Sequence, residues 1–170
     1  MHDQGWVHRD IKPGNIFIKN DANRLVLKLG DFGSAHFIEM ESTNASDAVP
    51  ARGSNGVTVL YAAPETHTGE PYGRKCDIWS IGCCVFQMMT GRSPWSNRTR
   101  KLNEFSQILF EMEKKRDPLT FFGRLEPFTE ERANFTNDAV SFLKACFVRK
   151  TYQRASVAQL IESPLLDTPA

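Results

Sequence analysis

The sequence lacks the features that identify several large classes of protein. Its 170 residues contain 21 Lys and Arg against 20 Asp and Glu, a formal net charge of +1, so there is no excess of positive charge. Nucleic-acid binding through a broad basic face is therefore not expected. The longest apolar run, IWSIGCCVFQMM at 78–89, is shorter than the roughly 20 residues of a membrane-spanning helix. No membrane partner is expected either.

Cysteine is scarce, and its spacing matches neither a zinc site nor a redox motif. No C-x-x-C pair and no His/Cys cluster with zinc spacing occurs among Cys76, Cys83, Cys84 and Cys146. Three of the four lie in or beside the apolar run, where cysteine usually acts as a small hydrophobic residue. The N-terminus MHDQGWVHRD has no apolar signal-peptide core. Together these observations predict a reducing, cytoplasmic environment.

The first part of the chain predicts a β-hairpin followed by a long loop. Residues 15–20 (NIFIKN) and 24–30 (RLVLKLG) are short apolar runs separated by a polar turn, a pattern typical of two antiparallel strands. Residues 34–58 are rich in Ser, Thr, Asn, Ala and Gly and show little periodicity, which predicts a surface loop. A structureless loop of this length in a compact domain is usually functional.

Helices are predicted to dominate after residue 64. The run at 75–90 is apolar on nearly all sides, which indicates a core helix, with Gly91 as its C-cap. Apolar residues recur at helical intervals in 102–115 and 137–147. Residues 156–161 begin with Ser and have Gln three positions later, a capping-box pattern. The sequence therefore predicts one small hairpin, a long loop and at least four helices.

The stretch VHRDIKPGN, residues 7–15, concentrates polar side chains between apolar elements. Asp10 and Asn15 offer oxygen ligands there, and the predicted hairpin would return Asp31 close to them. Carboxylate and amide oxygens suit Mg²⁺, which binds few protein ligands together with phosphate and water. Lys12 would point the same way as Asp10 in an extended loop and could neutralise a phosphate there. Unpaired polar groups among apolar neighbours are hard to justify by structure alone.

Three motifs in order, HRDIKPGN (8–15), DFG (31–33) and APE (63–65), resemble a eukaryotic protein kinase. Each short motif alone would be weak, but DIWSIG (77–82) and Arg154 add to the pattern. The resemblance covers essentially the whole chain, but only the C-terminal lobe of the family's fold. It implies a protein-kinase-like α+β fold, with a mainly α-helical C-terminal lobe, a small β-hairpin and no N-terminal lobe.

The resemblance also implies boundaries and a class. Residues 1–170 would form one partial kinase domain, divided into a catalytic loop at 7–15, a magnesium loop at 31–33, an activation segment at 31–65 and a helical subdomain at 66–170. Lys12 favours the Ser/Thr class, and KLGDFG with the DIWSIG helix is similar to the STE group, in particular MAP kinase kinase kinases of the MEK-kinase type. This implies ATP and Mg²⁺ as cofactors and a protein substrate, expected to be a MAP kinase kinase.

Roles for individual residues follow from the resemblance, position by position. Asp10 matches the catalytic base, Lys12 matches the residue that contacts the γ-phosphate, and Thr58 matches a loop threonine that hydrogen-bonds both. Asn15 and Asp31 match the two Mg²⁺ ligands. The resemblance thus implies that these side chains converge on one metal–triphosphate site.

Further matched positions would support that site. Arg9 matches an arginine that can grip an activation-loop phosphate through a bidentate contact. His8 and Phe32 match packing residues that link the catalytic and magnesium loops, and Gly33 supplies the free backbone of a sharp turn. Phe17 falls where the family places the floor of the adenine pocket, and ordinary core packing is an equally open reading.

The remaining positions are structural. Asp77 matches an aspartate that holds the catalytic-loop backbone, and it could also be an ordinary helix N-cap. Glu65 and Arg154 match a buried ion pair, which would cost roughly 3–5 kcal/mol if one partner were removed. The other three histidines have no partner spacing and are expected to be solvated: His2, His36 and His67.

The sequence also departs from the family pattern. The glycine-rich loop, strand lysine and helix glutamate of the N-terminal lobe are not found before the catalytic loop; GSNG at 53–56 follows DFG, on the wrong side. Val57 replaces the glycine that relatives usually carry before the threonine. We therefore expect the isolated chain to bind ATP poorly and to transfer little phosphate. A catalytically inactive kinase-fold module that offers a docking or scaffolding surface is the alternative.

Overall fold

The computed structural model describes residues 1–21, 24–38, 58–66, 72–92 and 136–167. Within it the chain divides into two compact units, Met1–Cys84 and Val85–Ala170. Several predictions lie outside the described residues: the helix at 102–115, most of the loop at 34–58, GSNG, Val57 and His67.

The predicted hairpin is confirmed. Strands β2 (Ile16–Asp21) and β3 (Arg24–Leu29) pair antiparallel, with Ile16 opposite Leu29 and Ile18 opposite Leu27. Gly30 N–H donates to the Asn15 carbonyl at 2.9 Å, so the chain just outside the two strands is also held together. The backbone just before β2 and the backbone just after β3 are therefore adjacent, and these two segments carry the predicted metal ligands.

A second small sheet corrects the start of the predicted loop. Residues at 34–58 were expected to be irregular, but β4 (His36–Phe37) pairs antiparallel with β1 (Trp6–Val7). Gly5 makes this possible: its φ is 82°, and a Cβ there would lie 2.8 Å from the Ile38 carbonyl oxygen. Strands of two residues are too short to show a period-2 pattern, so the sequence does not reveal them.

Helix α1 (Lys75–Thr90) has the predicted bounds, and Gly91 (φ 67°) closes it through a hydrogen bond from its N–H to the Gln87 carbonyl. It presents a run of buried residues within the first unit: Cys76, Asp77, Ile78, Trp79, Ser80, Cys83 and Cys84. The expectation of a core helix is confirmed. No described helix is both long and apolar enough to cross a membrane.

The second unit contains helices α2 (Asn137–Cys146) and α3 (Val157–Ile161). Thr136 caps α2 by accepting a hydrogen bond from Ala139 N–H, so the helix begins one residue after a threonine that the helical periodicity had not indicated. The predicted capping box of α3 is confirmed by reciprocal hydrogen bonds between Ser156 and Gln159 at 2.8 and 3.3 Å.

Candidate active site

Asp10 lies at the centre of a small group of predicted site residues. The short turn Pro13–Asn15 curls the chain back, and Asn15 Nδ2 donates to the Asp10 carbonyl at 2.8 Å and to Asp10 Oδ2 at 3.2 Å. Lys12 Nζ donates to the same Oδ2 at 2.8 Å. The structure therefore brings Asp10, Lys12 and Asn15 together around one carboxylate oxygen.

The other oxygen of that carboxylate is different. Asp10 Oδ1 is buried and makes no hydrogen bond to any residue that the structure describes. A buried carboxylate oxygen normally has a donor, so a vacant one requires an explanation. Because both nearby donors are committed to Oδ2, Oδ1 is the atom of this group that could accept a hydrogen bond from a hydroxyl.

Asn15 directly precedes β2 and Asp31 follows shortly after β3, so both residues lie at the open end of the hairpin. Asn15 uses its amide nitrogen on Asp10, which leaves its Oδ1 without a hydrogen bond among the described residues. Asp31 is exposed, adopts φ 58° and accepts a bond from Gly33 N–H at 3.3 Å. Gly30 N–H donates to the Asn15 carbonyl at 2.9 Å, so the backbone segments that carry the two side chains are adjacent. Amide and carboxylate oxygens are ligands that suit Mg²⁺.

His8 connects the catalytic loop to the chain that precedes Asp31. Its ring is fully buried, and Nδ1 accepts the Asp10 N–H at 3.3 Å while Nε2 lies 3.0 Å from the Gly30 carbonyl. Since Nδ1 accepts, Nε2 must carry the hydrogen, and His8 is neutral in this arrangement. Its ring also lies 5.2 Å from that of Phe32. His8 thus positions backbone on both sides of the site.

Asp77 holds the catalytic-loop backbone from the first turn of α1. Its Oδ2 accepts the His8 N–H and its Oδ1 accepts the Arg9 N–H, both at 2.8 Å. Arg9 has φ 68°, a left-handed conformation that is unfavourable for a residue with a side chain. Asp77 stabilises this strained residue, directly before Asp10, by accepting hydrogen bonds from its N–H and from that of His8.

One residue of this network was missed in the sequence. His2 was expected to be solvated, but its Nε2 lies 2.8 Å from Asp77 Oδ2. The expectation was wrong because the two residues are 75 positions apart, and no local spacing can indicate such a contact. Only the packing of the N-terminal turn against α1 brings them together.

The Phe17 ring on β2 is exposed. Phe17 is 58% exposed, so the open alternative of ordinary core packing is not supported. A Cβ at Gly30 would lie 2.5 Å from the Phe17 ring, so the ring occupies space that only glycine leaves free.

The Arg9 guanidinium lies 5.8 Å from the Tyr72 ring centroid, and its Nε is buried without a hydrogen-bond partner among the described residues.

Three further predicted residues are placed only in part. Thr58 begins the turn Thr58–Tyr61, and its side chain lies outside what the structure describes. Glu65 is buried in the first unit and Arg154 in the second, where Arg154 Nε donates to the Val148 carbonyl at 2.7 Å. The Glu65–Arg154 ion pair stays a prediction.

The buried thiols provide no nucleophile. Burial raises the pKa of Cys84 to about 12, and burial raises that of Cys146 to about 12 despite the opposing effect of Arg154. The pKa of Tyr61 is also raised, first by burial and then by Cys84 and Cys83. Because the thiolate is the reactive form, these cysteines act as small hydrophobic residues near neutral pH.

Comparison with known proteins supports one family. The protein kinase domain model matches residues 1–166. The chain is 31% identical over 98% of its length to mitogen-activated protein kinase kinase kinase 19 of Homo sapiens, 32% over 98% to MAP kinase kinase kinase mkh1 of Schizosaccharomyces pombe, and 30% over 99% to serine/threonine-protein kinase Nek5 of Mus musculus. It spans 11%, 13% and 23% of these relatives.

The match to the protein kinase family agrees with the order of the sequence motifs. It also agrees with the presence of a carboxylate at Asp10. The expected absence of an N-terminal lobe and the domain subdivisions stay predictions. The chain belongs to the protein kinase domain family.

Proposed function

We propose that this domain transfers the γ-phosphoryl group of ATP to a serine or threonine hydroxyl of a protein, with Asp10 as the catalytic base. The observation that supports this role is the vacant, buried Oδ1 of Asp10, beside an Oδ2 held by Lys12 and Asn15. A fixed carboxylate with one open acceptor can orient a hydroxyl and accept its proton as the oxygen attacks phosphorus.

The surrounding residues have complementary proposed roles. The Lys12 ammonium, 2.8 Å from Asp10, adds a positive charge where phosphate oxygens would approach. Asn15 Oδ1 and the Asp31 carboxylate would hold Mg²⁺, which neutralises phosphate charge when bound. Thr58 would hydrogen-bond Asp10 and Lys12. Phe17 would lie under the adenine ring.

The remaining residues matched by the resemblance would support this site. His8, Phe32 and Gly33 would maintain the geometry of the two loops. Arg9 would bind a phosphate of the activation segment through its unsatisfied guanidinium. The region 31–65 would be that segment, and 66–170 the helical subdomain.

We also propose that the substrate is a MAP kinase kinase and that the protein acts in a MAPK cascade in the cytoplasm. Two of the three relatives described above are named MAP kinase kinase kinases, although the chain has a similar percentage identity to the third, Nek5. Phosphorylation of a kinase-dead MAP kinase kinase, compared with a generic basic protein at equal concentration, tests this choice. Equal rates on both substrates would contradict it.

A non-catalytic docking or scaffolding role is the second candidate. It is favoured by the apolar side chains that one face of the hairpin exposes: Ile18, Leu25 and Leu27. Exposed apolar surface of this kind often marks an interaction site. A catalytic role for the polar group and a docking role for the hairpin are separable, because they rest on different residues.

The decisive experiment measures γ-phosphoryl transfer by the complete protein and its Asp10→Asn variant. We expect the substitution to reduce kcat by about 10²–10⁴-fold, because Asn cannot accept the proton. Asp3→Asn, at an exposed carboxylate in the same unit, is the matched control and should leave the rate unchanged. Retention of activity by Asp10→Asn would contradict the base assignment, and absence of transfer by a wild-type protein that binds Mg·ATP would favour the docking alternative.

A further inference from the structure

His2 donates a side-chain hydrogen bond to the Asp77 carboxylate, a contact that no sequence pattern indicated. This carboxylate is 1% exposed and accepts four hydrogen bonds from described residues: two from backbone N–H groups, one from His2 Nε2 and a long one from the Cys76 thiol to Oδ1 at 3.8 Å. The His2 side chain is 15% exposed, so it closes the solvent side of an otherwise buried carboxylate.

The protonation of His2 is constrained by this contact. The Asp77 carboxylate only accepts hydrogen bonds, so His2 Nε2 must carry a hydrogen. His2 Nδ1 makes no hydrogen bond to a residue that the structure describes. The imidazole can therefore donate to Asp77 whether it is neutral or cationic, and the contact acts as a fixed structural bond.

Asp77 passes this constraint to the catalytic loop. The His8 N–H donates to Oδ2, the oxygen that His2 also contacts, and the Arg9 N–H donates to Oδ1. Arg9 is held at φ 68°, and the next residue, Asp10, donates its own N–H to His8 Nδ1. A rotation of the Asp77 carboxylate would therefore displace the backbone on which the Asp10 side chain stands.

We infer that His2 is a positioning residue for phosphotransfer: through Asp77 it sets the orientation of the backbone at His8–Asp10. Without the imidazole, Oδ2 would keep the His8 N–H alone and would seek a replacement donor from the solvent side, which favours rotation of the carboxylate. The inference rests on the proposed role of Asp10 for its kinetic consequence, but not for its structural one.

The test compares three substitutions of His2 in the complete protein. His2→Leu removes the donor, and we expect kcat to fall about tenfold, the loss of one hydrogen bond to a charged group, with the KM for ATP changed by less than about twofold. His2→Gln can place an amide nitrogen near the position of Nε2 and should restore most of the rate. His2→Asn is too short to do so and should behave like His2→Leu.

Gln4→Leu provides the matched control, because Gln4 is an exposed polar residue of the same N-terminal turn and its side chain makes no hydrogen bond to a residue that the structure describes. This variant should match the wild type. Equal rates for His2→Gln and His2→Asn would overturn the inference, because a general packing role would not distinguish the two amides by length.

A second readout does not depend on catalysis. Native-state hydrogen exchange of the His8 and Arg9 amides should accelerate about tenfold in His2→Leu and His2→Asn, and should be unchanged in His2→Gln and Gln4→Leu. Unchanged exchange in all four variants would overturn the inference. If Asp10→Asn were fully active, the proposed function would fail, whereas the exchange result would still decide whether His2 acts through Asp77.

Discussion

The catalytic loop and the hairpin that follows it each depart, in opposite ways, from the usual pattern in which apolar side chains are buried and polar ones are exposed. The loop buries polar groups: His8 is 0% exposed and Asn15 is 6% exposed. The hairpin exposes apolar ones: Ile18 and Leu25 are each 69% exposed, and Leu27 is 63% exposed. The two regions are adjacent in the chain, so the difference does not follow from local composition.

The difference lies in where each region finds its stabilising contacts. The loop is held by bonds to distant groups, such as the Asp77 carboxylate and the Gly30 carbonyl. The hairpin is held by backbone hydrogen bonds between its own strands, in a register that puts Ile18 and Leu27 opposite each other on one face. The loop should therefore be sensitive to single remote substitutions, whereas the hairpin should tolerate changes on its exposed face.

Removal of Asp77 should have the largest effect. We expect Asp77→Ala to lower the free energy of unfolding by about 3 kcal/mol or more, because two buried backbone N–H groups lose their acceptor. Chemical denaturation measures this loss. Asp77→Asn keeps the shape and one acceptor oxygen and should be less damaging. A loss below about 1 kcal/mol for Asp77→Ala would contradict the view that distant contacts hold the loop.

The Cys84 thiol differs from the buried polar groups of the loop, because it is a buried titratable group with no compensating charge. Its pKa in the fold is about 12, above the ordinary value of 9.0, because burial disfavours the thiolate. The unfolded chain therefore loses its proton first as pH rises. The free energy of unfolding should be unaffected by this group below pH 9 and should fall by at most roughly 1.4 kcal/mol per pH unit between pH 9 and 12.

Denaturation at several alkaline pH values measures this slope, and Cys84→Ala should reduce it. Cys146→Ala removes the corresponding group of the second unit, whose pKa is also about 12, and should reduce the slope similarly. An identical slope in wild type and Cys84→Ala would mean that the thiol does not govern this alkaline dependence.

Gly30 joins the two regions, and its substitution should have an intermediate effect. Gly30→Ala places a methyl group 2.5 Å from the Phe17 ring, which must then move. Because that ring is exposed and can rotate, we expect a loss of only about 1 kcal/mol of stability. A smaller side chain at Phe17 should relieve the clash, so the double variant Phe17→Ala/Gly30→Ala should lose less than the sum of the single variants.

Full additivity of the two substitutions in a denaturation cycle would mean that the ring and the glycine are not coupled. In a nucleotide-binding measurement, the same variants would also test the proposed position of Phe17 under the adenine ring. Gly30→Ala should then weaken ATP binding, while phosphotransfer at saturating ATP should be retained.

Substitutions on the exposed hairpin face should have the smallest effect. We expect Ile18→Ser to change the free energy of unfolding by less than about 0.5 kcal/mol, because the side chain is already in water. Ile78→Ala, at a fully buried position of α1, should cost about 2–5 kcal/mol and is the control for a true core residue. A loss above about 1 kcal/mol for Ile18→Ser would show that this face is covered in the complete protein.

Much of the local structure could be predicted from the sequence because its signals are local. The hairpin, the bounds of α1 and the capping box at Ser156 each depend on residues within a few positions of one another. The grouping of Asp10, Lys12 and Asn15 is of the same kind, since one short turn suffices to bring them together. Their meaning as a site came from the family resemblance rather than from the spacing.

The missed features have the opposite character. Strands β1 and β4 are two residues each, and they form only because distant segments meet. The exposure of Phe17 could not be distinguished from core packing by its alternating neighbours, because alternation does not say which face of a hairpin is covered.

The sequence alone specifies the hairpin, the long core helix and a polar turn that brings together a carboxylate, a lysine and an amide. Each of these depends on backbone geometry over a few residues. The fold adds the contact of His2 with Asp77, the left-handed conformation of Arg9 and the vacant oxygen of Asp10. The first two depend on contacts across some 70 residues of chain, and no local pattern encodes such contacts.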